Sequence, residues 1–141
     1  MSNLVMHFEI HAGNPTEVMA FYEKVLGWTF TQVGDMEYWL IDTGDGAATD
    51  DQPGQGINGA LLKRMGESPA VGGPVTGCNF VVGTDEVDEV FARGLEHGGV
   101  EALPLEDMPG VGRFGYLLDP DNNIFGVLSP ILSDGTNAME G

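Results

Sequence analysis

Leu4-Val5-Met6-His7-Phe8-Glu9-Ile10-His11-Ala12, followed after Gly13 by Asn14-Pro15-Thr16-Glu17, is the stretch on which the fold turns. Side chains on a strand point to opposite faces in turn, so the first run sets His7, Glu9 and His11 on one side and Met6, Phe8 and Ile10 on the other. The second run opens a helix. Asn14 can cap it, Pro15 suits its first position, and Glu17 stands where a capping box needs it. Val18, Phe21, Tyr22, Val25 and Leu26 then recur at helical spacing and give one apolar face, which Gly27 ends.

Working outward, residues 28–33, 36–42 and 56–63 read as three further strands, with a polar loop over 43–55. The first half is therefore βαβββ. Asp42, Asp45, Asp50 and Asp51 fall in or beside the loop, but an EF-hand would need oxygen ligands at 44 and 46, and both are glycine. The loop is read as solvated.

Residues 64–76 carry Gly66, Gly72, Gly73, Pro69 and Pro74 and read as a linker. Beyond it the pattern repeats: a strand over 77–84, a helix capped by Asp85 and carrying Val87, Val90, Phe91 and Leu95, and a stop at Gly98-Gly99. His7 lies as far before Gly27 as Cys78 lies before Gly98, and Asn14 stands to Asp85 as His7 does to Cys78. A diverged duplication follows. Strands over 100–105, 112–119 and 124–129 complete the second half. Asp119-Pro120-Asp121-Asn122-Asn123 turns the last two into a hairpin, because proline fixes φ and asparagine tolerates the left-handed region. The tail, 130–141, is expected to be ordered only in part. The fold class is α+β: two tandem βαβββ modules, about 1–65 and 76–130, in a single domain over 1–141.

The 141 residues suffice for an ordinary core. Net charge is −17, from 22 acidic side chains against Lys24, Lys63, Arg64, Arg93 and Arg113. Such a surface repels phosphate backbones and anionic lipids, which excludes nucleic acid and membranes as expected partners. A lone Cys78 admits no internal disulfide, and no apolar run is long enough to span a bilayer, so a cytoplasmic setting is expected. The 22 glycines and 8 prolines suit many short strands.

The tandem βαβββ units resemble the vicinal oxygen chelate superfamily, which includes glyoxalases, extradiol dioxygenases and bleomycin-type resistance proteins. The resemblance rests on His7-Phe8-Glu9-Ile10, the run from Phe21-Tyr22 to Gly27-Trp28, Ile57-Asn58-Gly59, Gly112-Arg113-Phe114-Gly115-Tyr116 and Ile124-Phe125-Gly126. It implies curved mixed sheets around a cavity. In metal-dependent members each half supplies two ligands, one on its first strand and one on its last. Here those positions fall at His7, Gly59, Cys78 and Gly126, and only His7 is an ordinary ligand, so the resemblance implies a dismantled metal site and no cofactor. A divalent metal is the alternative. It would need His7 with Glu9, or Glu9 with His11, since neighbours two apart on a strand are separated by about 6.5–7 Å while His7 and His11 lie about 13 Å apart. A third ligand would come from Glu37 or another chain.

Two functions are expected in competition. One is a small-molecule binding protein of the bleomycin-resistance kind, its pocket shaped by His7, Glu9, His11, Trp39, Cys78 and Arg113. The other is a lyase, isomerase or dioxygenase of the glyoxalase or dioxygenase type, with an altered site in which Glu9 acts as general base beside His7 and His11. Arg113 could hold a ligand's carboxylate or phosphate, or else pair with one of the many surface acids. Trp28, Trp39, Tyr38, Phe114 and Tyr116 could stack on a flat ligand, with the core as the commoner fate of strand aromatics. His97, near a helix C-terminus, is expected to meet the last carbonyls. The resemblance also implies a homodimer.

Overall fold

A computed structural model describes residues 5, 7–47, 56–74 and 77–138. Leu4, Met6, Asp50, Asp51, Thr76 and the last three residues of the tail lie outside the described residues. The chain divides into two units, 1–68 and 69–141. The fold is α+β, with two four-stranded mixed sheets.

In the N-terminal unit, β1 (Phe8–Ala12) is followed by α1 (Pro15–Leu26), β2 (Thr29–Gln32), β3 (Tyr38–Asp42) and β4 (Gly59–Lys63), and the sheet runs β1-β4-β3-β2. The first and last strands of the unit pair in parallel and the others antiparallel. The expected helix start is present: Asn14 Oδ1 accepts from the Glu17 N–H at 3.3 Å, Pro15 takes the first turn, and Gly27 closes the helix at φ 74. Val18, Phe21, Tyr22 and Val25 are buried as the spacing requires. Trp28 is core: its ring stacks on Tyr22 at 5.2 Å and tilts against Phe8 at 5.6 Å.

The C-terminal unit repeats the plan with β5 (Phe80–Gly83), α2 (Val87–Glu96), β6 (Val100–Met108), β7 (Gly112–Leu118) and β8 (Ile124–Ser129), ordered β5-β8-β7-β6. Three details differ from the sequence expectation. The N-cap is Glu86, with no side-chain cap bond; the Glu86 N–H instead donates to Thr84 Oγ1 at 3.1 Å. Phe8 and Phe80 open equivalent strands and Asn14 and Glu86 equivalent helices, so the repeat is one residue longer than the Asn14 to Asp85 spacing. Leu95 is 43% exposed, and Gly94 takes the buried place on the helix face. A Cβ at 94 would stand 2.5 Å from Leu117 Cδ1, so glycine there lets the helix backbone approach the sheet.

The 119–123 hairpin is as expected. Asp119 is buried, and its Oδ1 accepts from the N–H groups of Asp121 and Asn123 at 2.8 and 3.0 Å while Oδ2 accepts from Asn123 Nδ2 at 2.9 Å. Asn122 sits at φ 63, the left-handed region asparagine tolerates. Residues 130–138 form a tight hairpin, with a bridge between Ile131 and Asn137 and a Leu132 N–H bond to Thr136 O at 2.8 Å.

Candidate functional site

Residues paired across a sheet share a face, so register decides which side chains can meet a ligand. In the N-terminal unit Ile10 pairs with Leu61 and Leu61 with Trp39, while Glu9 pairs with Ala60 and His11 with Leu62. Ile10, Leu61 and Ile41 are buried on the face that α1 covers. Glu9, His11, Ala60 and Leu62 share the open face.

His7 precedes β1, and its Nε2 lies 3.3 Å from Glu9 Oε2, so an Nε2–H imidazole or an imidazolium donates to the carboxylate. Both side chains are over 40% exposed, and water screens an interaction of this kind. Glu9 therefore meets solvent rather than apolar surroundings. His11 is exposed, and its carbonyl accepts from Arg64 Nη2 at 2.9 Å. Trp39 belongs by register to the helix-covered face, so it does not share a surface with Glu9 and His11. Gly59 pairs with Phe8, and a Cβ there would lie 2.8 Å from Phe8 Cδ1. The open-face position on β4 is thus Ala60, one residue on from the position expected to carry a ligand.

In the C-terminal unit Val81 pairs with Gly126, which pairs in turn with Tyr116. Gly126 is on the open face, but the position beside it on β5 is Val81; Cys78 precedes the strand and is exposed. Among the described residues no three His, Cys, Asp or Glu side chains converge as metal ligands. Ala60, Val81 and Gly126 carry no metal-ligating side chain.

What the open face of the C-terminal unit does hold is a cavity of about 180 Å³. Val81, Phe114, Tyr116 and Leu128 line it from β5, β7 and β8, Met108 from the end of β6, and Val111 from the β6–β7 turn. Phe114 and Tyr116 meet edge to face at 6.2 Å. Gly126 makes the room: a Cβ there would come within 2.9 Å of Tyr116 Cε1 and 3.1 Å of Val81 Cγ2. The phenolic hydroxyl of Tyr116 is the one side-chain polar group among the lining residues.

Arg113 points away from this cavity. It pairs in register with Ser129 on the helix side of the sheet, where Nη2 donates to Asp88 Oδ1 on α2 at 2.8 Å and Nη1 to Asp107 Oδ1 at 3.2 Å. The surface ion pair is the role the structure gives it. The Arg113 guanidinium holds the Asp88 carboxyl below its ordinary value, and the pairing with Asp88 in turn favours the charged guanidinium. Asp107 is also lowered, first by the Ser133 hydroxyl. His97 caps α2 through its backbone N–H, which donates to Arg93 O.

This geometry can be set beside known proteins. The chain matches the family described as the Glyoxalase/Bleomycin resistance protein/Dioxygenase superfamily over residues 4–127. The chain belongs to that superfamily. It is 29% identical over 125 residues to CFP32 of Mycobacterium tuberculosis, provisionally named a glyoxylase, a match covering 86% of this chain and 42% of the relative. The chain therefore spans less than half the length of that relative. Among solved structures, a glyoxalase-related enzyme from Fulvimarina pelagi superposes with a TM-score of 0.66 at 18% identity, covering 96% of this chain and 97% of the other. The fosfomycin resistance protein FosX of Mesorhizobium loti gives 0.63 at 17% identity, over 95% and 97%. At such identities the likeness is one of fold.

The sequence pattern had already singled out Phe114 and Tyr116. It missed Val81, Leu128, Met108 and Val111. A usable signal was present, because Phe114 and Tyr116 alternate with the buried Gly115 and Leu117, so β7 is apolar on both faces.

Proposed function

We propose that this superfamily member binds a small, uncharged, largely apolar organic molecule in the cavity of its C-terminal unit, without the metal centre of its catalytic relatives. The observation carrying this reading is Gly126: at one of the four positions where the resemblance would place a ligand, the chain has no side chain, and the space beside Val81 and Tyr116 opens into an apolar cavity. The cavity's chemistry argues for a neutral guest. No lysine or arginine lines it, and a chain of net charge −17 repels anions.

Equilibrium dialysis against a library of neutral aromatic compounds, with mass spectrometry of what is recovered, tests the reading. The expected result is a compound retained and returned unchanged. Reproducible turnover, or a divalent metal bound stoichiometrically by protein purified without an affinity tag, would overturn it.

A catalytic reading around His7 and Glu9 draws on their 3.3 Å contact and on the glyoxylase name of the relative. It requires turnover that Glu9→Gln abolishes. For the proposed homodimer, β1 and β2 end one sheet and β5 and β6 the other, and strand edges invite association. Light scattering at micromolar concentration should give twice the chain mass, and a monomer would count against it.

A further inference from the structure

The cavity has walls of two kinds. Val81, Phe114, Tyr116 and Leu128 project from paired strands, whose positions the sheet ladder fixes. Met108 ends β6, paired with Gly112, and Val111 stands beyond it in the turn with Pro109 and Gly110, where the Val111 N–H donates to Met108 O at 3.0 Å. A turn of this kind is the more easily displaced wall.

The C-terminal hairpin reaches that turn at two points. Asp107, the residue before Met108, accepts from the Ser133 N–H at 3.2 Å and from the Ser133 hydroxyl. The Gly110 N–H donates to Ala138 O at 3.0 Å. The hairpin is itself braced: Ala138 N–H donates to Pro130 O at 2.8 Å, and Thr136 Oγ1 donates to Asp134 Oδ1 at 2.6 Å. A third tie comes from the other side, where Arg113 links Asp107 to Asp88 on α2.

We infer that the 130–138 hairpin is a strap that sets the cavity's mobile wall, with Asp107 and Ser133 as positioning residues that act through Met108 and Val111. Neither residue lines the cavity. The strap holds the turn through one hydroxyl, one carboxylate and two backbone N–H groups, and its loosening widens or closes the cavity without disturbing the sheet beneath. Only the affinity arm of the test below rests on the binding function proposed above.

The experiment uses the full chain with ¹³C-methyl methionine, comparing wild type with Ser133→Ala, Ser133→Thr and Asp107→Asn. In Ser133→Ala and Asp107→Asn the Met108 methyl resonance, assigned with Met108→Leu, is expected to shift and broaden. Exchange of the Gly110 amide should accelerate about threefold or more, since its opening no longer requires release of the strap. Ser133→Thr, which keeps the hydroxyl, should restore both. Nile red, a neutral flat dye, should bind the two weakened variants several-fold less tightly through faster dissociation. An unaltered Met108 methyl and Gly110 exchange in folded Ser133→Ala and Asp107→Asn would overturn the strap. If wild type takes up no Nile red, the binding reading suffers instead, and the methyl and exchange data still decide the strap.

Discussion

Replacing Gly126 with alanine probes the cavity without touching a polar atom. The added Cβ would stand 2.9 Å from Tyr116 Cε1 and 3.1 Å from Val81 Cγ2, whereas carbon atoms pack best at about 3.5–4.0 Å. The tyrosine ring must therefore yield by roughly 0.6 Å or more. It has somewhere to go, because Tyr116 is half-buried and faces the cavity. Overpacking in a closed core costs about 1–3 kcal/mol, and an open-sided neighbour puts this case at the low end. Removing a strand glycine offsets about 0.5–1 kcal/mol of that, so stability should change by less than about 1 kcal/mol. Binding should change more. A flat guest on the ring makes about 20 atom contacts of roughly 0.15 kcal/mol each, and a displacement of this size forfeits a quarter to a half of each. The loss is about 1 kcal/mol, or about fivefold in Kd. Nile red titration and urea unfolding of the same preparation measure the two quantities. An unchanged Kd in folded protein would refute the placement of the guest against Tyr116. A destabilisation of about 3 kcal/mol would show that the ring has no room to move.

Gly94→Ala should do the reverse, destabilising the protein by about 1 kcal/mol: the helical gain of up to about 1 kcal/mol is outweighed by a clash with the fully buried Leu117, and a rise in urea midpoint would refute this. Asn14→Ala should cost about 1 kcal/mol by orphaning the Glu17 N–H, with Asn14→Ser recovering most of it in the same unfolding assay. Acid should release the strap before it unfolds the sheet. Asp88 and Asp107 have folded values below the ordinary 3.8, so their stabilisation is complete above that pH and is lost as pH falls further. The Ser133 amide resonance, followed from neutral pH downward, should report this release, and an unmoved resonance until global unfolding would contradict it.

The course of the chain is written locally and its faces are not. Asn14, Pro15, Glu17 and the helical spacing from Val18 to Leu26 suffice for α1, because cap and periodicity act within a few residues. Leu95 misled the reading of α2, since hydrophobic spacing cannot register that the helix approaches the sheet closely enough to need glycine at 94. Trp39, Gly59 and Arg113 were expected in the site and belong to the helix side of their sheets. A one-residue change of register exchanges the two faces of a strand, and register is set by partners distant in the chain. The cavity eluded the sequence for the same reason: its walls come from four strands and a turn, and its room comes from the missing side chain of Gly126.

The parallel pairing of β1 with β4, and of β5 with β8, also orders events during folding. The strand that opens each unit finds its ladder partner only in the strand that closes it. During synthesis Phe8 and its neighbours must wait, both edges unpaired, until Gly59–Lys63 has left the ribosome, because the antiparallel β2, β3 and β4 form the rest of the sheet without them. Each unit thus carries its slowest, least local contact at its own beginning, and the apolar residues there are the last to be secured.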